Sequence, residues 1–290
     1  SYFYAYLNDS GRAGFVMAAS ATDSGNKDRE IRKELIQTGH VDCLMSVANN
    51  FFYKVSLPCS LWFFDKGKKE ELKDKVLFID SRNYYTVVDR TLNEWSEWQM
   101  KNLNAIVWLY RGEKEKYTKL LQDYRTQIIN DCRELDAAFE SVSILLNGYG
   151  EKLKPLRVQV ADTIKNAEDI NQLLPLNDML KKYTTELNAS LKALCEYGDG
   201  LEKDEVKEFA KSIDETATTW DRFKKSVSTR IEEVVSQIKA CRTVIKEAKW
   251  LTEKFGDGIY TDVLGLCKVA TLNEIEEKNW SLTPGAYVGV

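Results

Sequence analysis

Side chains able to do chemistry are sparse and scattered along this 290-residue chain. Six cysteines (Cys43, Cys59, Cys132, Cys195, Cys241 and Cys267) stand far apart with no C-x-x-C pair, and His40 is the one histidine. A structural zinc site needs such ligands clustered at short spacing. No metal centre is therefore expected, and the thiols read as free and buried in a reducing compartment. No G-x-G-x-x-G run is present to bring a backbone turn against a nucleotide-like cofactor. Neither Asn-Pro-Pro-aromatic nor Asp-Pro-Pro-aromatic occurs. Two short stretches remain: a polar loop with Ser20, Thr22, Asp23, Ser24 and Gly25, and an aromatic run, Phe51, Phe52 and Tyr53, behind two asparagines. Residues like those of the loop line clefts, but they also simply make turns. The aromatics can as well fill a core.

Composition narrows the classes. Hydrophobic residues make up 43% and charged residues 30%, a profile with ample material for a core. The net charge of −4 argues against a chain that coats DNA by itself. If it works on DNA, a partner supplies much of the phosphate grip. No signal peptide and no apolar run of about 18 residues is present, so neither secretion nor membrane spanning is supported.

The elements that must position those residues begin with a mixed α/β region, 1–90. Residues 1–7 read as the end of an amphipathic helix, as though the chain opens inside a domain whose first strands lie upstream. After the turn at 8–11, residues 12–17 form a short apolar run that suits a buried strand. Ser20, Thr22 and Asp23 follow it. Residues 28–37 read as a helix with Ile31, Leu35 and Ile36 on one face, and Gly39 stands where a C-terminal glycine belongs. Strands are expected at 41–47, 57–64 and 76–79, the last two joined as a hairpin with the charged segment 66–74 at its tip. A sheet this small would leave an apolar face bare, which supports the expectation of upstream strands.

Residues 91–255 read as helical. A rhythm of threes and fours runs over 93–110, over 113–146 (Tyr117, Leu121, Tyr124, Ile128, Leu135, Phe139), over 155–174 and over 176–194. Between 202 and 251 there is neither glycine nor proline. Fifty helical residues would extend about 75 Å, so an antiparallel coiled coil or an elongated three-helix bundle is expected. Such a rod packs against itself and can also dock a partner helix. Lys and Glu alternate on its outer faces, which reads as solvated surface before it reads as a DNA-binding stripe. In the closing segment, 256–290, Thr271 with Glu274 matches a capping box, so a short helix is expected over 272–278. The dense Trp280-Ser-Leu-Thr-Pro-Gly-Ala-Tyr-Val-Gly289 reads as an ordered tail packing back onto the α/β region.

Three stretches in register carry a family resemblance: Gly11-Arg-Ala-Gly-Phe-Val-Met17 with Glu30-Ile-Arg-Lys33 and Leu35-Ile36; Asn49-Asn-Phe-Phe-Tyr53 with Leu57-Pro58 and Leu61-Trp-Phe-Phe-Asp-Lys66; and the tail from Trp280 to Gly289. This series resembles the C-terminal part of the methylation subunit of type I restriction-modification systems, over 1–112 and 256–290. The resemblance implies an α/β plus all-α fold. Residues 1–90 would be the C-terminal portion of a Rossmann-like methyltransferase domain. Residues 91–255 would be an elongated helical coiled-coil domain, and 256–290 a tail on the first.

It further implies adenine-N6 DNA methylation with S-adenosyl-L-methionine. The cofactor turn and the catalytic loop would lie upstream, so this chain alone is expected to bind no cofactor and to be inactive. The target base must leave the DNA stack, and by position Phe52, with Phe51 and Tyr53 as lesser candidates, resembles the aromatic that stacks on it. Ser20, Thr22 and Asp23 are cleft-lining candidates. Implied partners are a specificity subunit, a second methylation subunit, a restriction subunit and double-stranded DNA, with no membrane and a cytoplasmic location. The tail departs from the family's Asn-Pro-Gly-Arg-Tyr, carrying Thr283 and Ala286 at the first and fourth places, so an arginine contact there is absent. Two rival readings stand beside this one: a non-catalytic coiled-coil scaffold or interaction module, and an RNA or protein methyltransferase on the same fold.

Overall fold

The computed structural model describes residues 2–52 and 56–289. The chain divides into two compact units, Ser1–Tyr117 with Lys254–Val290, and Thr118–Glu253.

The first unit is built on a five-stranded mixed sheet. Its strands are β1 (Arg12–Ala18), β2 (Val41–Val47), β3 (Cys59–Asp65), β4 (Lys75–Asp80) and, from the end of the chain, β7 (Cys267–Thr271), in the order β1-β3-β2-β4-β7. β3 is antiparallel to both β1 and β2, while β2 and β4 run parallel. β1, β2 and β4 therefore point the same way. β2 and β4 are buried along almost their whole length, as strands covered on both faces are, with Asp42 the buried charge within β2. β1 is exposed at five of its seven positions, with Ala13 and Phe15 partly buried, so it is not the buried strand that its apolar run suggests.

Side chains of one sheet face meet a core of Ile36, Leu44, Trp62, Phe64, Phe78, Ile275, Leu282 and Tyr287. After a short helix α1 (Tyr2–Ala5), the helix α2 (Asn26–Gln37) covers this face, and Gly39 just beyond its end, with a φ of +75°, lets the chain turn into β2. Two short helices, α9 (Leu272–Glu277) and α10 (Gly285–Val288), complete it. α9 starts at a full capping box: Thr271 accepts from the Glu274 N–H and Glu274 accepts from the Thr271 N–H. The Tyr287 ring stacks on Phe78 at 3.9 Å, and buried Arg32 donates to the Trp280 carbonyl at 3.1 Å.

Two expectations about this unit need correction. Segment 66–74 is not a hairpin tip. β3 has β1 and β2 on its two sides, so β4 joins the far edge of β2, and 66–74 is the crossover. Buried Lys68 fastens the crossover by donating to the Val41 carbonyl at 2.8 Å and to the Lys75 carbonyl. The helix expected over 93–110 begins later. A small hairpin, β5 (Thr86–Asp89) with β6 (Leu92–Glu94), occupies its first residues. The helix α3 (Glu97–Tyr110) starts only where Ser96 and Gln99 form a capping box.

The second unit is helical. It draws on α4 (Lys114–Leu145), α5 (Leu153–Asn166), α6 (Leu176–Asp199), α7 (Lys203–Ile213) and α8 (Trp220–Phe255). Its interior is lined by Tyr124, Ile128, Leu135 and Phe139 of α4, Leu180, Tyr183 and Leu187 of α6, and Ile231, Val234, Ile238 and Ile245 of α8. Phe139 and Tyr183 stack at 3.8 Å. The continuous helix expected from 202 to 251 is broken at 214–219. There Asp214 leaves helical geometry, and its carboxylate accepts from the Thr216 N–H at 2.9 Å and the Thr216 hydroxyl at 2.7 Å. That local bond competes with the helix, and the threonines that follow are weak helix formers. The helix expected to continue through 174 likewise stops at Asn166.

Candidate functional site

Sheet order brings together residues that sequence alone leaves apart. β1, β2 and β4 end on the same edge. Ala18 and Val47 lie on the two sides of Cys59, the first residue of β3, and Ser46 pairs with Asp80. The loops that follow the three strands, at 19–25, 48–52 and 81–85, therefore rim one edge of the sheet. In open α/β sheets the carboxyl ends of parallel strands are where ligands bind, because the loops there are free to vary over a rigid base.

Ser20 and Asp23 sit in the first of these loops and are exposed. Thr22 is placed differently from an open cleft residue. It is buried, its hydroxyl donates to the Ala19 carbonyl at 2.7 Å, and it lies 2.8 Å from the Thr283 hydroxyl. The Leu282 N–H also donates to the Thr22 carbonyl at 2.8 Å. Thr22 thus ties the tail to the strand-end loop, and Thr283 is its partner.

The second loop carries the aromatics. Phe51 is half-buried, 4.7 Å from the Trp95 ring and 5.9 Å from Tyr85. Its ring packs edge-on and tilted against these two aromatics. Phe52 is 43% exposed. Tyr53 lies outside the described residues. Asn50 adopts φ +63°, and its carbonyl accepts from the Asn93 N–H at 2.8 Å, while Asn49 accepts from the Asn93 side chain at 2.9 Å. The β5–β6 hairpin therefore splints the chain immediately before Phe52.

The third loop is fixed from below. The Ser81 hydroxyl donates to the Ser46 carbonyl at 2.6 Å, and Arg82 forms a forked ion pair with Asp80 at 2.5 to 3.1 Å. That pair raises the Arg82 guanidinium further above its ordinary value. Sequence reasoning missed Asn93, Trp95, Ser81 and Arg82. The one signal for this support was Asn49-Asn50, a pair suited to a left-handed turn.

The three loops contain one glycine, Gly25, at an ordinary φ of −83°. They do not form the glycine-rich turn that a nucleotide-like cofactor requires. Among the described residues, no group of three or more His, Cys, Asp or Glu could hold a metal ion, and no helix is long and apolar enough to cross a membrane. The rim can offer an exposed aromatic face, a hydroxyl and a carboxylate.

Comparison with known proteins adds to this geometry. Residues 1–130 match the family described as N-6 DNA Methylase. The chain is similar to the "Type I restriction enzyme MjaIX methylase subunit" of Methanocaldococcus jannaschii, 40% identical over 102 residues, which is 35% of this chain and 18% of that protein. It is 30% identical to the HindI methylase subunit of Haemophilus influenzae over 92 residues, 31% of this chain and 20% of that protein. A longer match, 28% over 165 residues, joins 50% of this chain to 28% of the MjaVIII methylase subunit of M. jannaschii. The chain thus spans about a fifth to a third of these relatives. A crystal structure of a type I restriction-modification methyltransferase subunit from Streptococcus thermophilus aligns at 21% identity and a TM-score of 0.33, over 36% of this chain and 21% of that one.

Proposed function

We propose that this chain, which through its first 130 residues is a relative of the N-6 DNA methylases and of type I methylase subunits, serves as the C-terminal part of a DNA-methylating subunit. The full subunit transfers a methyl group from S-adenosyl-L-methionine to adenine N6. The observation that carries this reading is Phe52, an exposed ring at the shared carboxyl edge of β1, β2 and β4, inside the matched span.

An adenine in duplex DNA cannot reach a methyl donor until it leaves the stack. An exposed aromatic braced by Asn93 and the Phe51–Trp95 packing offers it a face, and base–aromatic stacking contributes about 1 to 3 kcal/mol. Ser20 and Asp23 line the neighbouring loop and can receive hydrogen bonds. The residues present do not fit the S-adenosyl-L-methionine site, because the strand-end loops lack its glycine turn, so no step is routed through that group here. On its own the chain transfers no methyl group.

Site choice falls to a specificity subunit, and helices between 113 and 251 contribute the surface that it grips. A second methylation subunit and a restriction subunit complete the assembly. The Rossmann-like domain is completed by strands added beside β1, whose outer edge has no partner among the described residues. Co-purification of a full-length methylase subunit carrying this chain with its specificity subunit tests the reading, followed by labelled methyl transfer to duplex DNA. Complex formation that is lost on deleting 113–251, with transfer to adenine by the intact complex, is the expected result. Binding unchanged by the deletion would refute the docking role, and no transfer to DNA would refute the reaction.

A further inference from the structure

The outer charges of the helical unit do not all alternate. Between α4 and α5 runs a groove of about 440 Å³ lined by Arg125, Thr126, Ile129, Asn130 and Arg133 of α4 and by Ala161, Ile164 and Lys165 of α5. It holds three cations and no carboxylate. We infer that this groove binds the sugar–phosphate backbone of duplex DNA. The inference rests on the reading of the protein as a DNA methylase and adds a second, remote contact with the same substrate.

The cations are placed by helix geometry. Arg125, Ile129 and Arg133 follow one another at steps of four, so they share one face of α4. Eight residues separate the two arginines, which is about 12 Å along the axis. Lys165 adds its charge from the facing helix, in the last turn of α5, where a cation also suits the helix dipole.

Arg125 is the fixed member. Its Nη2 donates to the Ala167 carbonyl at 2.9 Å, while its buried Nε has no acceptor among the described residues. Arg133 and Lys165 are exposed, and no ion pair with either occurs among the described residues. Several other cations of these helices are engaged: Arg157 is held by Asp136 and Glu140, Lys154 by Glu151, and Lys116 by Glu113.

The pattern selects the partner. A DNA strand presents one phosphate per roughly 3.4 Å of axis, an unbroken row of charge of a single sign. A protein helix seldom offers such a row, because its surface carries both signs. Thr126 and Asn130, interleaved with the arginines, add neutral donors that suit phosphate oxygens. Nothing in the lining reads base edges. The contact is therefore independent of sequence and positions the duplex without selecting a site.

The test uses the chain as it stands. A labelled 20-base-pair duplex is titrated with the wild type and with an Arg133→Ala/Lys165→Ala variant, by fluorescence anisotropy across a salt series. Circular dichroism confirms that the variant folds; both positions are exposed, so unfolding is not expected. An Arg133→Lys variant keeps the charge and should retain most of the binding. Because each phosphate contact adds about 0.9 to the slope of log affinity against log salt, the double variant should lose close to two units of slope and bind at least tenfold more weakly at low salt.

Unchanged affinity and slope would overturn the groove as a DNA contact while leaving the methylase reading intact, since that is tested by methyl transfer. A wild type that binds no duplex overturns it as well. Poly-glutamate that displaces DNA at equal charge concentration, with the same dependence on Arg133 and Lys165, would mark the groove as a protein-docking site and overturn the assignment to DNA.

Discussion

The sheet unit and the helical unit treat their polar side chains in opposite ways. In the sheet unit, charged and hydroxyl groups turn inward and tie loops to strands. Lys68 clamps β2 and β4, Arg32 holds the tail, Ser81 anchors the loop after β4, and the Arg111–Asp42 pair joins α3 to β2. The edge left for a ligand is accordingly sparse in charge and rests on one exposed ring. In the helical unit the interior is almost wholly apolar, and charge stays on the outside. A sheet edge is shaped by which strands are neighbours, whereas a helix face is shaped by the spacing of residues on one element. The first can present a specific contact, and the second a repeated, unspecific one.

The largest expected effect probes how firmly the tail belongs to the sheet unit. Tyr287→Ala removes a ring stacked on Phe78 in a buried site. Truncations of this kind cost about 3 to 5 kcal/mol, read as a fall in the midpoint of urea unfolding. A change below about 1 kcal/mol would separate the tail from the core.

The counterpart in the helical unit is Gly198. A Cβ there would clash with the Trp220 indole, whose N–H donates to Asp199 at 2.7 Å. Gly198→Ala should destabilise by about 1 to 3 kcal/mol through overpacking, although alanine is the better helix former. A stabilised variant would contradict the close packing of α6 on α8.

A smaller loss follows from Thr271→Ala, which removes the capping box of α9 at about 1 kcal/mol. Its thermal midpoint should fall by a few degrees.

The last effect is a matter of pH. Burial lowers the Lys68 ammonium from the ordinary lysine value to about 8, against the opposing pull of Asp42. Between pH 8 and about 10.4 the unfolded chain holds the proton that the folded chain has released. The wild type should therefore gain stability relative to Lys68→Met as pH rises from 7.5 to 10. A constant difference across that range would show that the ammonium is not desolvated.

The same contrast explains what was legible in the sequence. Residues 41–47 form a strand at those bounds, and the Thr271–Glu274 box starts a helix where expected, because burial and capping leave local patterns. Strand order leaves none. Nothing local says that β2 inserts between β3 and β4, so 66–74 read as a hairpin tip and the meeting of the 19–25 and 48–52 loops was hidden. The hairpin at 86–94 was missed because β5 is exposed along its length and lacks alternation. The break at 214–219 was missed because it depends on an aspartate bonding its own backbone, with no glycine or proline to mark it. Thr22 read as a cleft residue because its partner, Thr283, lies 261 positions away.

Phe52 carries the account, and one measurement addresses it directly. A full-length methylase subunit bearing this chain, assembled with its specificity subunit, is compared with its Phe52→Ala variant for initial rates of labelled methyl transfer to a duplex containing the target adenine. Unfolding midpoints are measured on the same preparations. The account predicts an unchanged midpoint, because the ring is exposed, and a transfer rate lowered by about 10- to 100-fold, matching the loss of about 1 to 3 kcal/mol of base stacking. A variant that transfers methyl groups at the wild-type rate would contradict it.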